Sequence, residues 1–222
     1  KILRTPGTPE NSFSDDPLRM MRAARFSAQL GFDVDPAILT AIKAMTSRIE
    51  IISAERIRDE FVKLIMSENP RIGIALLVET GLADYVLPEI PKLKLEIDEH
   101  HHHKDVYEHS ITVLEQAIAQ EERLGGPNLV IRLAALLHDI GKAPTKKFDK
   151  NVGWTFHSHE FVGSKMVYKL FKRLKMPLNN KMKFVQKMVF LSSRPIVLAT
   201  DVTDAAVRRL VFDTGDDIDS LM

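Results

Sequence analysis

His138 and Asp139 stand side by side in Leu136-Leu137-His138-Asp139-Ile140-Gly141-Lys142, at the end of an apolar run that begins at Leu129. An imidazole and a carboxylate placed there are costly unless paired or bound to metal. Their nitrogen and oxygen donors suit a borderline or hard divalent ion. His109 lies 29 residues earlier, in a segment with helical periodicity. A hairpin of the two helices brings its imidazole to the same ion. Gly141 lets the chain leave the helix close to a ligand, and Lys142 offers a positive charge to a phosphate. His159, followed by Glu160, either extends the metal shell, acts as a general acid, or simply opens a helix. His109, His138, Asp139 and His159 are therefore candidate metal ligands, with His138, Asp139 and Lys142 as candidate catalytic groups. A bound ion would lower the pKa of water and polarise a phosphoryl oxygen. The run His100–His103 reads as a solvated loop with weak adventitious metal binding.

A second constellation lies near the start, in Asp15-Asp16-Pro17-Leu18-Arg19. Asp16 and Arg19 are three residues apart and project from one helical face. An Asp acceptor and an Arg donor fork can together hydrogen-bond a nucleobase edge. Arg22 and Arg25 continue at the same spacing and are placed to face phosphate. The same residues also read as a surface ion pair at a helix start, where an Asp is favoured by the helix dipole.

Positioning these groups requires helices, and almost every segment reads as one. Ser14 or Asp15 caps the first, with Pro17 inside its first turn and Gly31 past its end. Leu18, Met21, Ala24 and Ala28 form its apolar stripe. Asp35-Pro36, Ser53 and Asn69-Pro70 start three more. Leu87-Pro88-Glu89-Ile90-Pro91 has no helical period, and a domain boundary is placed at about residue 98. Helices are then expected over 106–123, 128–140, 159–175, 180–191 and 203–213. The piece 154–157 reads as a loop or a lone strand, and no alternating run of six or more residues supports a sheet. The expected fold is all-α, with antiparallel helix packing in two modules, 1–98 and 99–222.

The chain has 222 residues with 31 Lys+Arg and 30 Asp+Glu, so composition alone does not indicate a nucleic-acid partner. Charge is uneven, however. Residues 142–187 carry 12 Lys+Arg and 2 acids, either a surface for a phosphate backbone or a solvated lysine face. Cysteine is absent, which excludes disulfides, Cys-type zinc sites and a thiol nucleophile. No apolar run approaches the ~18 residues of a membrane span, so no membrane partner is expected. Lys1 at the start and a helix cut short at Met222 look like breaks in a longer polypeptide, with the second module truncated at its end. The sequence leaves the oligomeric state open.

His109, His138-Asp139 within HDIGK, and His159-Glu160-Phe161-Val162-Gly163 resemble the HD phosphohydrolase superfamily. That pattern ends with a distant Asp, for which Asp204 and Asp213 are candidates. Some members carry a His where this chain reads Leu191-Ser192-Ser193-Arg194, which favours a one-metal or degenerate site here. The string Asp15-Asp16-Pro17-Leu18-Arg19-Met20-Met21-Arg22-Ala23-Ala24-Arg25-Phe26, with Gln29-Leu30-Gly31-Phe32, resembles the neck of class II CCA-adding tRNA nucleotidyltransferases and bacterial poly(A) polymerases. Asp15 stands where that family more often has Glu. Ser53-Ala54-Glu55-Arg56-Ile57-Arg58-Asp59-Glu60-Phe61 resembles the motif that braces the neck. The resemblance implies a neck and body followed by an HD-type helical domain. It also implies that Asp15, Asp16, Arg19 and Arg22 bind the incoming ATP or CTP, and that an RNA 3′ end, tRNA above all, is the partner. Together with the lack of targeting signals, it implies a cytoplasmic location.

The family's catalytic head, with a Gly-Gly turn and an Asp-x-Asp pair for the Mg²⁺ ions of nucleotidyl transfer, is not found. The leading reading is thus a headless part of such a transferase. One alternative is a metal-dependent phosphohydrolase acting on a phosphoester such as a 2′,3′-cyclic nucleotide. A third is an inert RNA-binding helical module with a lapsed metal site.

Overall fold

The computed structural model describes residues 1–95, 105–200 and 202–222. The boundary at residue 98 and the run His100–His103 lie outside the described residues. Packing divides the chain into two units. One comprises Lys1–Lys92 with Arg173–Met176, the other Leu93–Lys172 with Pro177–Met222.

In the first unit, β1 (Ile2–Leu3) pairs in parallel with β2 (Asp33–Val34). Helix α1 (Pro9–Asp15) is short and was not foreseen. Thr8 accepts the Asn11 amide at its start and Pro9 occupies its first turn, where a missing N–H costs nothing. α2 (Leu18–Leu30) begins one residue after Pro17 and ends at Gly31, whose φ of 62° suits glycine. Ser14 and Asp15 therefore belong to the preceding helix. The α2 start is held instead by Asp16, whose Oδ1 accepts the Leu18 amide at 3.2 Å. α3 (Pro36–Met45) and α4 (Ala54–Ile65) begin at the expected caps, Asp35 and Ser53. α5 (Pro70–Glu79) and α6 (Ala83–Val86) complete the unit.

α2 packs on α4 and α5, and its stripe Leu18, Met21, Ala24 and Ala28 is buried as expected, joined by Met20. Phe13, Phe61, Leu64 and Ile65 fill the same core. Gly73 permits the close approach of α5. A Cβ there would lie 2.8 Å from Leu64 and 3.0 Å from the Ala24 carbonyl.

In the second unit, α7 (Val106–Ala119) and α8 (Leu129–Leu137) form a packed pair, with α11 (Asn180–Leu191) against α8. Asp105 caps α7 by accepting the Tyr107 and Glu108 amides, and Asn128 caps α8. Between α8 and α11 lie α9 (Lys142–Thr145), an antiparallel hairpin of β3 (Lys147–Asp149) and β4 (Gly153–Thr155), and α10 (His159–Arg173). The extended piece near Trp154 is thus paired rather than lone. The indole Nε1 of Trp154 is buried, and no acceptor for it is found among the described residues. α12 (Arg194–Thr200), also not foreseen, α13 (Asp204–Thr214) and α14 (Ile218–Leu221) follow. Two strand pairs of two and three residues do not change the class. The fold is all-α.

A buried ion pair ties α8 to the turn before it. Arg132 Nε and Nη2 lie 2.6 and 2.8 Å from the two Glu121 oxygens, and Glu121 also accepts the Asn128 amide. The Arg132 hydrogen bond, against the cost of burial, holds the Glu121 carboxyl below its usual range. A carboxyl depressed on folding stabilises the protein above its unfolded pKa of about 4.3 and loses that contribution as pH falls through the folded value. Denaturant unfolding of the parent between neutral and acid pH is therefore expected to weaken more steeply than that of Glu121→Gln. Parallel pH profiles would contradict this.

Candidate functional site

Each unit contains one of the two constellations. In the second, the α7–α8 pair brings His109 to His138 and Asp139. Ligand atoms of the three lie within 4.8 Å of one another, the one such group among the described residues. His138 caps the end of α8, and its Nδ1 is 2.8 Å from the Ala135 carbonyl. That contact leaves Nε2 facing Asp139 Oδ2 at 3.2 Å, with His109 Nε2 3.9 Å from the same oxygen. An outer hydrogen bond of this kind fixes the tautomer and ring orientation that a metal ligand needs. Two imidazole nitrogens and a carboxylate oxygen fit a divalent ion.

Lys142 Nζ lies 2.6 Å from Asp139 Oδ2, so a metal at that oxygen would share it with an ammonium. His159 meets the opposite oxygen, with Nε2 3.4 Å from Oδ1 and Nδ1 2.9 Å from the Phe156 carbonyl. Asp139 is only 3% exposed. Burial opposes its ionisation, but hydrogen bonds from His138 and His159 and the Lys142 charge hold its carboxyl well below the usual carboxylate range. Burial also disfavours the His159 cation, yet the Asp139 hydrogen bond and the Glu160 charge raise its pKa. Glu160 is fixed by Ser193, whose Oγ donates to Oε1 at 2.6 Å.

The two aspartates considered for the far end of the pattern are elsewhere. Asp213 pairs with Arg194, and Asp204, 95% exposed, with Arg208 at 4.0 Å. Gly141 has a different reason than the one expected. Its φ of −72° suits any residue, but a Cβ would lie 1.9 Å from the His159 carbonyl oxygen. A cavity of about 290 Å³ opens beside the cluster, with His109, His138, Ser192 and Met188 in its wall.

In the first unit, Asp16 has extended backbone between α1 and α2 (φ −145°, ψ 99°), so it does not share the expected helical face with Arg19, and no ion pair joins the two. Asp16 is gripped by Arg56 at 3.2 Å and lies 3.8 Å from Arg22. Arg19 donates to the Ser12 carbonyl and hydroxyl at 3.2 and 3.0 Å, with Asp15 at 3.9 Å. Its side chain keeps 44% exposure. Arg22 and Arg25 both reach buried Glu60, at 3.4 and 2.5 Å. Arg25 is thus an internal group rather than a free phosphate-facing one. Arg56 and Glu60, one turn apart on α4, were not singled out as site residues. Their signal was i,i+4 spacing opposite the α2 charges. A cavity of about 320 Å³ is lined by Ser12, Phe13, Arg19, Arg22 and Phe26.

Comparison with known proteins places matches on both units. Residues 31–93 match the family described as the probable RNA and SrmB-binding site of polymerase A, and residues 106–211 match the HD domain. An A-adding tRNA nucleotidyltransferase from Deinococcus radiodurans is 35% identical over 174 residues, 76% of this chain and 39% of that protein. A multifunctional CCA protein from Pseudomonas fluorescens is 32% identical over 174 residues, covering 75% and 40%. One from Aliivibrio salmonicida is 34% identical over 175 residues, covering 75% and 41%. The chain spans about two-fifths of the length of these relatives.

Proposed function

We propose that this chain, homologous over three-quarters of its length to tRNA nucleotidyltransferases and carrying a polymerase A RNA-binding segment ahead of an HD domain, is the base-reading and RNA-holding part of such an enzyme. The observation that carries this reading is the way Asp16 and Arg19 are set. Each is anchored by other residues, Asp16 by Arg56 and Arg19 by Ser12, so neither neutralises the other. A fixed acceptor beside a fixed donor fork can read the edge of ATP or CTP. Glu60 supports this from below by tying Arg22 and Arg25 of α2 to α4. Arg19 and Arg22 line the cavity that a nucleotide would enter.

The experiment compares AMP with CMP incorporation into tRNA by the product of the whole reading frame. Asp16→Ala is expected to reduce the discrimination between the two nucleotides about ten- to a hundredfold, the worth of one good base-edge pairing. An unchanged ratio would remove Asp16 from base reading.

A second reading rests on the cluster in the other unit. His109, His138 and Asp139 would hold one divalent ion, which when bound activates water and polarises a phosphoryl oxygen. Lys142 places a cation where a phosphate charge is received, and His159, whose pKa is raised by the Asp139 hydrogen bond against the cost of burial, is positioned as a proton donor. This second function, hydrolysis of a phosphoester such as a 2′,3′-cyclic nucleotide, is compatible with the first in one polypeptide. Among the described residues no helix is long and apolar enough to cross a membrane; work on tRNA would place the protein in the cytoplasm.

A further inference from the structure

The geometry points to a single-stranded RNA platform on the β3–β4 hairpin, which holds the strand on aromatic rings and lysines beside the Asp139 cluster. This rests on the RNA-holding reading above. The hairpin joins two residues of the cluster. Lys142 lies five residues before β3 and His159 four after β4, and both touch Asp139. At ~3.3–3.6 Å per extended residue, the base of the hairpin stands no more than about 14 Å along the chain from His159.

Its surface combines the two ingredients of sequence-tolerant strand binding, π-faces and cations. Phe148 packs edge-on against Trp154 at 5.1 Å and still exposes 53% of its surface. Lysines stand over successive rings of this stretch: Lys146 over Trp154 at 4.1 Å, Lys142 over Phe156 at 6.0 Å and Lys165 over Phe161 at 5.3 Å. Lys147 and Lys150 are exposed on the hairpin itself. Asp149, the acid among them, accepts the Asn151 and Val152 amides and so serves the turn. A partner for this surface must tolerate the positive balance of residues 142–187. A phosphate backbone does, and bases offer faces for Phe148.

The test uses this chain and short fluorescein-labelled RNAs, one single-stranded and one duplex, read by fluorescence anisotropy over a KCl series. Phe148→Ala is expected to weaken single-strand binding about tenfold while leaving the duplex unaffected, because stacking needs an unpaired base. Phe148→Tyr is expected to bind like the parent. Lys147→Glu combined with Lys150→Glu, which changes exposed side chains and should leave the fold intact, is expected to flatten the log–log salt dependence by about 1.4, at ~0.7 per phosphate contact. Hairpin variants that bind like a binding-competent parent would overturn the platform while leaving the RNA-holding reading in place. A parent that binds neither RNA would overturn both. Equal losses on single strand and duplex would overturn the stacking role, and so would Phe148→Ala impairing capture of a poly-glutamate peptide but not of RNA.

Discussion

A Gly141→Ala protein is expected to lose at least about 3 kcal/mol of stability, at the upper end of what overpacking costs. The backbone at Gly141 has an ordinary helical φ, so conformational strain contributes nothing. The whole effect is steric. The added methyl carbon would lie 1.9 Å from the His159 carbonyl oxygen and 2.7 Å from the Gly163 nitrogen, both backbone atoms that no rotamer change can move. The start of α10 has to shift, and His159 moves away from Asp139 with it. Gly163→Ala provides the graded control. There the closest contacts are the Val189 side chain at 3.1 Å and the Gly141 nitrogen at 3.3 Å, so a smaller loss is expected. Urea unfolding of the three proteins measures this. A Gly141→Ala midpoint equal to that of the parent would mean that α10 does not approach Gly141 so closely.

Asp139→Asn is expected to strip the metal cluster of its function. The parent should retain about one divalent ion per chain after dialysis, and the variant almost none, because the carboxylate is the anionic donor in a site whose affinity depends on deprotonated ligands. Hydrolysis of a 2′,3′-cyclic nucleotide should fall at least ~100-fold, beyond the 10–100-fold typical of losing an outer-shell partner. Stability should fall too, since Lys142, His138 and His159 all face a carboxylate only 3% exposed. Full turnover by Asp139→Asn would remove the cluster from the hydrolytic chemistry. Absence of metal in the parent itself, with salt-sensitive tRNA binding retained, would favour an RNA-holding module with a lapsed site.

Much of this was legible in the sequence because the signals are local. The caps Asp35, Ser53, Asn128 and Thr203 and the stop at Gly31 mark helix ends in the chain itself. The apolar run before His138 marks α8, and a hairpin of that helix with the one carrying His109 is the pairing that brings the three groups together. α1 escaped because it is seven mainly polar residues cut off by Asp16-Pro17. Strands of two or three residues are too short to show a period of two. The grip of Arg56 on Asp16 spans 40 residues, and no local pattern announces such a contact. Gly141 was noticed, but sequence supplies φ-based reasons for glycine, whereas its reason here is a neighbouring helix. Neither Asp204 nor Asp213 joins the cluster: Asp213 pairs with Arg194, and the Asp204 side chain is 95% exposed on α13.

Whether these residues serve a tRNA nucleotidyltransferase is decided by end-labelling. The substrate is a tRNA lacking its CCA end, supplied with labelled ATP and CTP and Mg²⁺. The product of the whole reading frame and the 222-residue chain are assayed side by side. AMP or CMP incorporation by the former and none by the latter is expected. Incorporation by the chain alone, or none by the whole product, would contradict that role.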